Sequence, residues 1–168
     1  PSATEEKTTL MEANKRTTFK SPVPVLNPPS IAIVGASERA RWPQDIRANL
    51  LAAGYSGPIY PVNPRLKELW GGPCYPDLAS TPKPAAHALI IVPAPAVVET
   101  LEVGAANGLK SATVYAGNVG EGTDPTIVAR GNAVRAIVER TGIAINGPNC
   151  MGGNAMREKF FEIGRAHV

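Results

Sequence analysis

Aromatic residues and cysteines are scarce in this chain, and both shortages limit what it can be. Only 5% of the 168 residues are aromatic, so no row of rings is available for stacking nucleic-acid bases. The two cysteines, Cys74 and Cys150, show no metal-ligand spacing with each other or with the two histidines. We therefore expect no metal site, and we expect reduced cysteines in a cytoplasmic protein.

Long apolar runs and a strong charge bias are also missing. No apolar stretch approaches the length of a bilayer span, and the amino terminus lacks the apolar core of a signal peptide. The net charge of +3 is mild, and the lysines and arginines are scattered. We expect neither a membrane nor a nucleic-acid partner, because a few arginines that bind an anionic small molecule would account for this excess.

The chain does contain a regular alternation of short apolar strands and amphipathic helices. The expected strands are residues 31–34, 59–62, 87–92, 112–116 and 143–145. The expected helices are residues 43–53, 95–107 and 125–141. Alternation at this spacing predicts βαβ units with right-handed crossovers. We predict an α/β fold, a Rossmann-like doubly wound and mainly parallel sheet of five or more strands with helices on both faces.

The two ends of the chain differ from this alternating region. Residues 1–27 are polar and then proline-rich, which predicts a flexible tail and linker before a domain that spans 28–153. Residues 154–168 are expected to begin a truncated following segment. Residues 162–168 resemble the translation of a sequencing-library adapter, so we expect the native sequence to break off near Phe161.

The turn after the first strand has features of an anion site. Gly35 lets the chain turn sharply, Ser37 offers a hydroxyl, and the following helix offers free N–H groups. Arg39 and Arg41 add positive charge, whereas Glu38 opposes it. Only the first glycine of the dinucleotide fingerprint is present. An anion site and an ordinary strand-to-helix turn both remain open.

The next two strand ends also carry candidate binding residues. An acid usually follows the second strand of an NAD-binding domain, but here Asn63 and Arg65 stand there. Arg65 favours a phosphorylated ribose, as in NADP or coenzyme A, although Asn63 can simply form a turn. After the third strand, residues 92–95 (Val-Pro-Ala-Pro) form either a stiff wall against a cofactor or a rigid helix entry.

The last two strand ends carry a carboxylate, an amide and a thiol. Glu121 is the one acid in the glycine-rich run 117–122, where it is either a functional carboxylate or a solvated one. Asn149 and Cys150 lie in the run 147–152 after the fifth strand. Ligands of open parallel sheets bind at these strand ends, although a buried inert residue is the commoner outcome for cysteine.

Four segments in register resemble the CoA-binding domain of NDP-forming acyl-CoA synthetases, such as the succinyl-CoA synthetase α subunit and ADP-forming acetate–CoA ligases. They are Ile33–Ser37, Gly57–Pro64, Val92–Pro95 and Gly147–Cys150. The resemblance implies that an acid, CoA and a nucleoside triphosphate give acyl-CoA, a nucleoside diphosphate and phosphate, through an acyl phosphate and a phosphohistidine. The family's catalytic histidine and its ATP-grasp domain, which binds ATP or ADP and magnesium, lie in further domains or subunits, so this fragment is expected to be inactive alone.

The same resemblance implies roles for individual residues. Glu121 corresponds to a loop acid that contacts the phosphohistidine, and His87 has no catalytic role. The residues implied to line the coenzyme A site are Gly35, Ala36, Ser37, Arg39, Arg41, Asn63, Arg65, Val92, Pro93, Ala94, Asn149 and Cys150.

Two other functions remain open from the sequence. An NADP-dependent oxidoreductase domain is compatible with Arg65, but the missing glycine fingerprint argues against it. A stand-alone CoA-binding regulatory module, without catalysis, is also compatible with the fold.

Overall fold

A computed structural model describes residues 21–162. In chain order its elements are α1 (Val23–Leu26), β1 (Ile31–Val34), α2 (Arg41–Ala52), β2 (Ile59–Val62), β3 (Glu68–Leu69), β4 (Gly72–Pro73), β5 (His87–Ile90), α3 (Ala94–Ala106), β6 (Ser111–Val114), α4 (Pro125–Thr141), β7 (Ala144–Asn146), β8 (Asn154–Ala155), a 3-10 turn (Met156–Glu158) and β9 (Phe160–Phe161). None of the described helices has both the length and the apolar character needed to cross a membrane.

The central sheet has five parallel strands in the order β2-β1-β5-β6-β7, which confirms the predicted fold class. Tyr75 adds one parallel bridge outside β2: its N–H donates to Pro61 O at 2.9 Å, and its carbonyl accepts from Asn63 N at 2.8 Å. Pro61 therefore directs its backbone toward the edge of the sheet, where a missing N–H costs little.

Helices cover both faces of the sheet, and two apolar cores result. α2 packs Ile46 and Leu50 onto the face that carries Ile31 and Leu89. On the opposite face, α3 and α4 pack onto β1, β5 and β6. Every residue of β1, β5 and β6 is buried, as expected for parallel strands that are covered on both sides.

Residues on both sides of the predicted domain 28–153 pack onto the sheet. α1 contacts β6 and β7, and Ser111 Oγ donates to Pro24 O at 2.5 Å. The β8–β9 hairpin places Phe160, which is 0% exposed, in the core beneath α2. Residues 21–27 and 154–162 thus belong to the folded unit. Residues 1–20 and 163–168, the rest of the predicted tail and following segment, lie outside the described residues.

A buried polar network joins the hairpin to the sheet. His87 Nδ1 lies 2.8 Å from Ser111 Oγ, and His87 Nε2 lies 3.0 Å from Glu162 Oε2. Thr113 Oγ1 donates to Glu162 Oε1 at 2.8 Å. Because Ser111 donates its own proton to Pro24 O, His87 Nδ1 must donate to Ser111, and a second proton lies between His87 and Glu162. His87 is therefore a structural residue.

Removing one partner of this pair should destabilise the domain strongly. We expect His87→Leu to lower the free energy of unfolding by about 3–5 kcal/mol, because it leaves Glu162 buried without its partner. The double variant His87→Leu with Glu162→Leu should recover much of that loss, because no charge then remains buried. Urea denaturation of both variants measures this, and a double variant no more stable than the single one would contradict the role of the pair.

Candidate functional site

A groove of about 590 Å³ opens at the carboxyl ends of β1, β2 and β5. In the sheet, β2 lies on one side of β1, and β5, the next central strand along the chain, lies on the other side. The groove therefore lies where the strand order reverses. Ligands of doubly wound sheets bind at this point, and the volume suits a small-molecule site. The groove residues that we predicted from the sequence are Gly35, Asn63, Arg65, Val92 and Pro93.

Gly35 holds the turn after β1 close to the end of β5. Its φ of +88° lies in the left-handed region, and a Cβ there would overlap the carbonyl oxygen of Ile91. The Gly35 N–H donates to Val62 O at 2.9 Å, which also ties the turn to β2. Only glycine meets both demands, so this residue brings the three strand ends together.

Asn63 joins two of the loops that form the groove. Its Nδ2 donates to Ala36 O at 2.8 Å, and its Oδ1 accepts from Arg65 N at 2.9 Å. The amide is therefore used within the protein, and it orients the backbone of Arg65. Arg65 is exposed, and within residues 21–162 no carboxylate lies within ion-pair distance of its guanidinium.

The residues at the start of α2 are partly engaged with one another. Ser37 Oγ accepts from Arg39 N at 3.0 Å, and Arg41 pairs with Asp45 at 3.3 Å. Ala36 is 0% exposed, so only its backbone can face a ligand. Ala40, the N-cap of α2, makes no side-chain capping hydrogen bond, so the first N–H groups of the helix are not capped by its side chain.

A second polar cluster lies at the ends of β6 and β7. Glu121 Oε2 accepts from Val119 N at 2.5 Å, whereas its buried Oε1 has no donor among the described residues. Asn149 Oδ1 and Glu121 Oε1 lie 3.4 and 3.8 Å from the position that a Cβ of Gly117 would occupy. The structure thus brings Glu121 and Asn149 to the same glycine.

The two cysteines have structural surroundings. Cys150 Sγ accepts from Gly152 N at 3.2 Å inside a tight turn. Cys74 follows β4, and its Sγ lies 3.9 Å from Asn63 O. Burial raises the pKa of its thiol and favours the protonated form. His87 is buried in the network with Glu162, so it does not activate either thiol.

Several groove residues were missed by the sequence analysis. Ala96, Thr100 and Val103 line the groove from α3, while Val97 and Leu101 face the core. Ala96, Thr100 and Val103 are spaced i, i+4 and i+7, and this helical spacing could have identified the face of α3 that lines the groove. The segment 76–78 forms the opposite wall, and no local pattern marks it, because the chain returns there only after the β3–β4 hairpin.

The close contact at Gly35 predicts that alanine there is more destabilising than alanine at Gly71, which serves as the control. Gly71 also has a positive φ, +78°, but a Cβ there meets nothing within 4 Å. Gly71→Ala should therefore cost about 1 kcal/mol, from backbone conformation alone. Gly35→Ala should cost at least about 3 kcal/mol, because it adds the overlap with Ile91 O. Denaturant unfolding compares the two, and equal costs would show that the close approach is not needed.

Comparison with known proteins identifies the family of this chain. A family model described as a CoA binding domain matches residues 29–155. The chain is 33% identical to trans-feruloyl-CoA synthase FCS1 from an unknown prokaryotic organism, over 76% of this chain and 18% of that protein. It is 34% identical to acetate–CoA ligase [ADP-forming] II of Archaeoglobus fulgidus, over 74% of this chain and 19% of that protein. The chain spans less than a fifth of the length of either relative.

Solved structures match over most of the fold. PH0766 from Pyrococcus horikoshii has a TM-score of 0.75 and 26% identity, and the match covers 85% of this chain and 33% of that one. A conserved hypothetical protein from Pyrococcus furiosus has a TM-score of 0.55 and 25% identity, and the match covers 77% of this chain and 97% of that one. The chain therefore belongs to the CoA-binding domain family, and it is a CoA-binding domain of the type found in NDP-forming acyl-CoA synthetases.

Proposed function

We propose that this domain holds coenzyme A along the carboxyl edge of its sheet and presents the thiol to the reaction centre of an NDP-forming acyl-CoA synthetase. The observation that carries this proposal is the groove at β1, β2 and β5, with Arg65 exposed beside it. In the whole enzyme, a carboxylic acid, CoA and a nucleoside triphosphate would give acyl-CoA, a nucleoside diphosphate and phosphate.

The residues of the groove fit the chemistry of coenzyme A. Val34, Val62 and Val92 supply apolar walls for the adenine ring and the pantetheine arm, and the missing side chain of Gly35 leaves room for close backbone approach. Two acids, Asp77 and Glu99, line the same groove. Asp77 is engaged, because its Oδ1 accepts from Ser80 N at 2.8 Å and from Ser80 Oγ at 2.7 Å.

Distinct parts of the site would bind distinct phosphates. Arg65 forms no ion pair with a carboxylate of the described residues, so its guanidinium is suited to the 3′-phosphate of the ribose. The uncapped start of α2 and the exposed Arg39 are suited to the pyrophosphate. Asn63 would act indirectly, because both ends of its amide are bound to the backbone of the loops.

The cluster at β6 and β7 would border the thiol end of the cofactor. Asn149 and Glu121 flank Gly117 there, and Cys150 would line the site without acting as a nucleophile. The catalytic phosphohistidine would come from another part of the enzyme and approach Glu121. An ATP-grasp domain or subunit of the same enzyme would bind ATP or ADP and magnesium. The carboxylic acid substrate would also bind outside this domain. We expect the whole enzyme to be cytoplasmic. The short span of this chain relative to its relatives supports this division.

A stand-alone CoA-binding module is the second candidate. It is favoured by the Pyrococcus furiosus protein, of which the match covers 97%. The natural gene distinguishes the two candidates: a second α/β domain encoded after residue 161 would support the synthetase, and a stop codon there would support the module.

Calorimetric titration with CoA and dephospho-CoA tests the site. We expect CoA to bind about 10-fold more tightly, because a charge-assisted contact to the 3′-phosphate is lost in dephospho-CoA. Arg65→Met should remove this preference, whereas Arg135→Met, which removes another exposed positive charge, from α4, should keep it. Equal affinity of the unmodified domain for both ligands would refute the role of Arg65.

Thermal protection by NADP and not by CoA would favour an oxidoreductase domain instead.

A further inference from the structure

The glycine-rich loop that follows β6, residues 117–122, is held against α4 by a hydrogen bond, by a buried side chain and by a close approach of two glycines. Arg130 Nη1 donates to Asn118 O at 3.1 Å. Val119 is 2% exposed and packs into the core. Gly120 lies directly on Gly131 of α4. We call the contacts of Arg130 with Asn118 and of Gly131 with Gly120 the loop clamp.

The contact between Gly120 and Gly131 leaves no room for a side chain on Gly131 and little room for one on Gly120. A Cβ on Gly131 would lie 2.5 Å from Gly120 Cα, and one on Gly120 would lie 3.1 Å from Gly131 Cα. Both neighbours are backbone atoms, so neither can rotate away. Any larger residue at 131 must therefore move the loop outward from α4.

Glycine at 131 is otherwise unfavourable for the domain. It lies inside the helix Pro125–Thr141, where glycine costs about 1 kcal/mol relative to alanine. The helix does not need it for packing onto the sheet, because Val134 and Ile137 fill that role. The close approach of the loop is the one feature of the described chain that accounts for this residue.

The loop clamp sets the position of the polar cluster at the thiol end. Glu121 follows Gly120 directly and is bound to Val119 N, so a displaced loop carries its carboxylate along. Gly117, at the other end of the loop, is the residue on which Glu121 and Asn149 converge. We propose that Gly131 and Arg130 are positioning residues that hold this loop at the correct distance from the pantetheine arm. This inference rests on the proposed binding of coenzyme A.

Substitutions in the loop clamp should separate binding of the two ends of the cofactor. Adenosine 3′,5′-bisphosphate lacks the pantetheine arm and reports only on the groove at β1, β2 and β5. We expect Gly131→Ala and Arg130→Met to weaken CoA binding about 5- to 10-fold, roughly the loss of one hydrogen bond. Binding of adenosine 3′,5′-bisphosphate should stay unchanged. The melting temperature of Gly131→Ala should fall less than that of Gly35→Ala, because the higher helix propensity of alanine offsets part of the cost of moving the loop.

Two substitutions in the same helix serve as matched controls. Asn132→Ala also raises helix propensity, and Arg135→Met also removes an exposed positive charge, but these residues bond to each other and not to the loop. Both should leave the ratio of the two affinities at the value of the unmodified domain. An unchanged ratio in the loop-clamp variants, or a parallel loss of both affinities, would overturn the positioning role. Failure of the unmodified domain to bind CoA would instead refute the proposed function.

Discussion

The close approach of Gly35 to the carbonyl of Ile91 is the constraint on which the groove depends. It lets the turn after β1 lie against the end of β5 while its N–H remains bonded to Val62 of β2. The strand order reverses at this place, so helices depart to opposite faces and leave an open crevice between them. A side chain at Gly35 would push the ends of β1 and β5 apart, and the residues that line the groove would no longer face one another.

Several polar and glycine residues at the carboxyl edge of the sheet contact the loops of the protein and hold them in position. The amide of Asn63, one of the residues expected to line the cofactor site, joins the loops after β1 and β2 and orients the backbone of Arg65. Gly131 has no recognisable signal in the sequence, although the loop 117–122 lies against its Cα. Loops can bind a flexible cofactor only if their own positions are defined, so a large share of polar and glycine positions serves the loops rather than the ligand.

A site residue can be predicted from the sequence only when the residues next to it in the chain indicate its place in the fold. Gly35, Arg65 and Pro93 lie within three residues of the ends of predicted strands, so their placement at one edge follows from parallel pairing alone. The wall formed by residues 76–78 and the α3 face at Thr100 could not be placed in the same way. Their position depends on the path of a hairpin and on the rotation of a helix, and both are set by packing across the sheet.

The sequence by itself determined the α/β class, the doubly wound parallel sheet and the carboxyl edge at which the candidate binding residues lie. Continuous apolar strands separated by helices allow few other arrangements, because parallel strands need crossovers that bury both faces. Only the tertiary structure decided that α1 and the β8–β9 hairpin belong to the domain and that His87 pairs with Glu162. Those contacts join residues far apart in the chain, and their stability comes from shared burial, which no local pattern records.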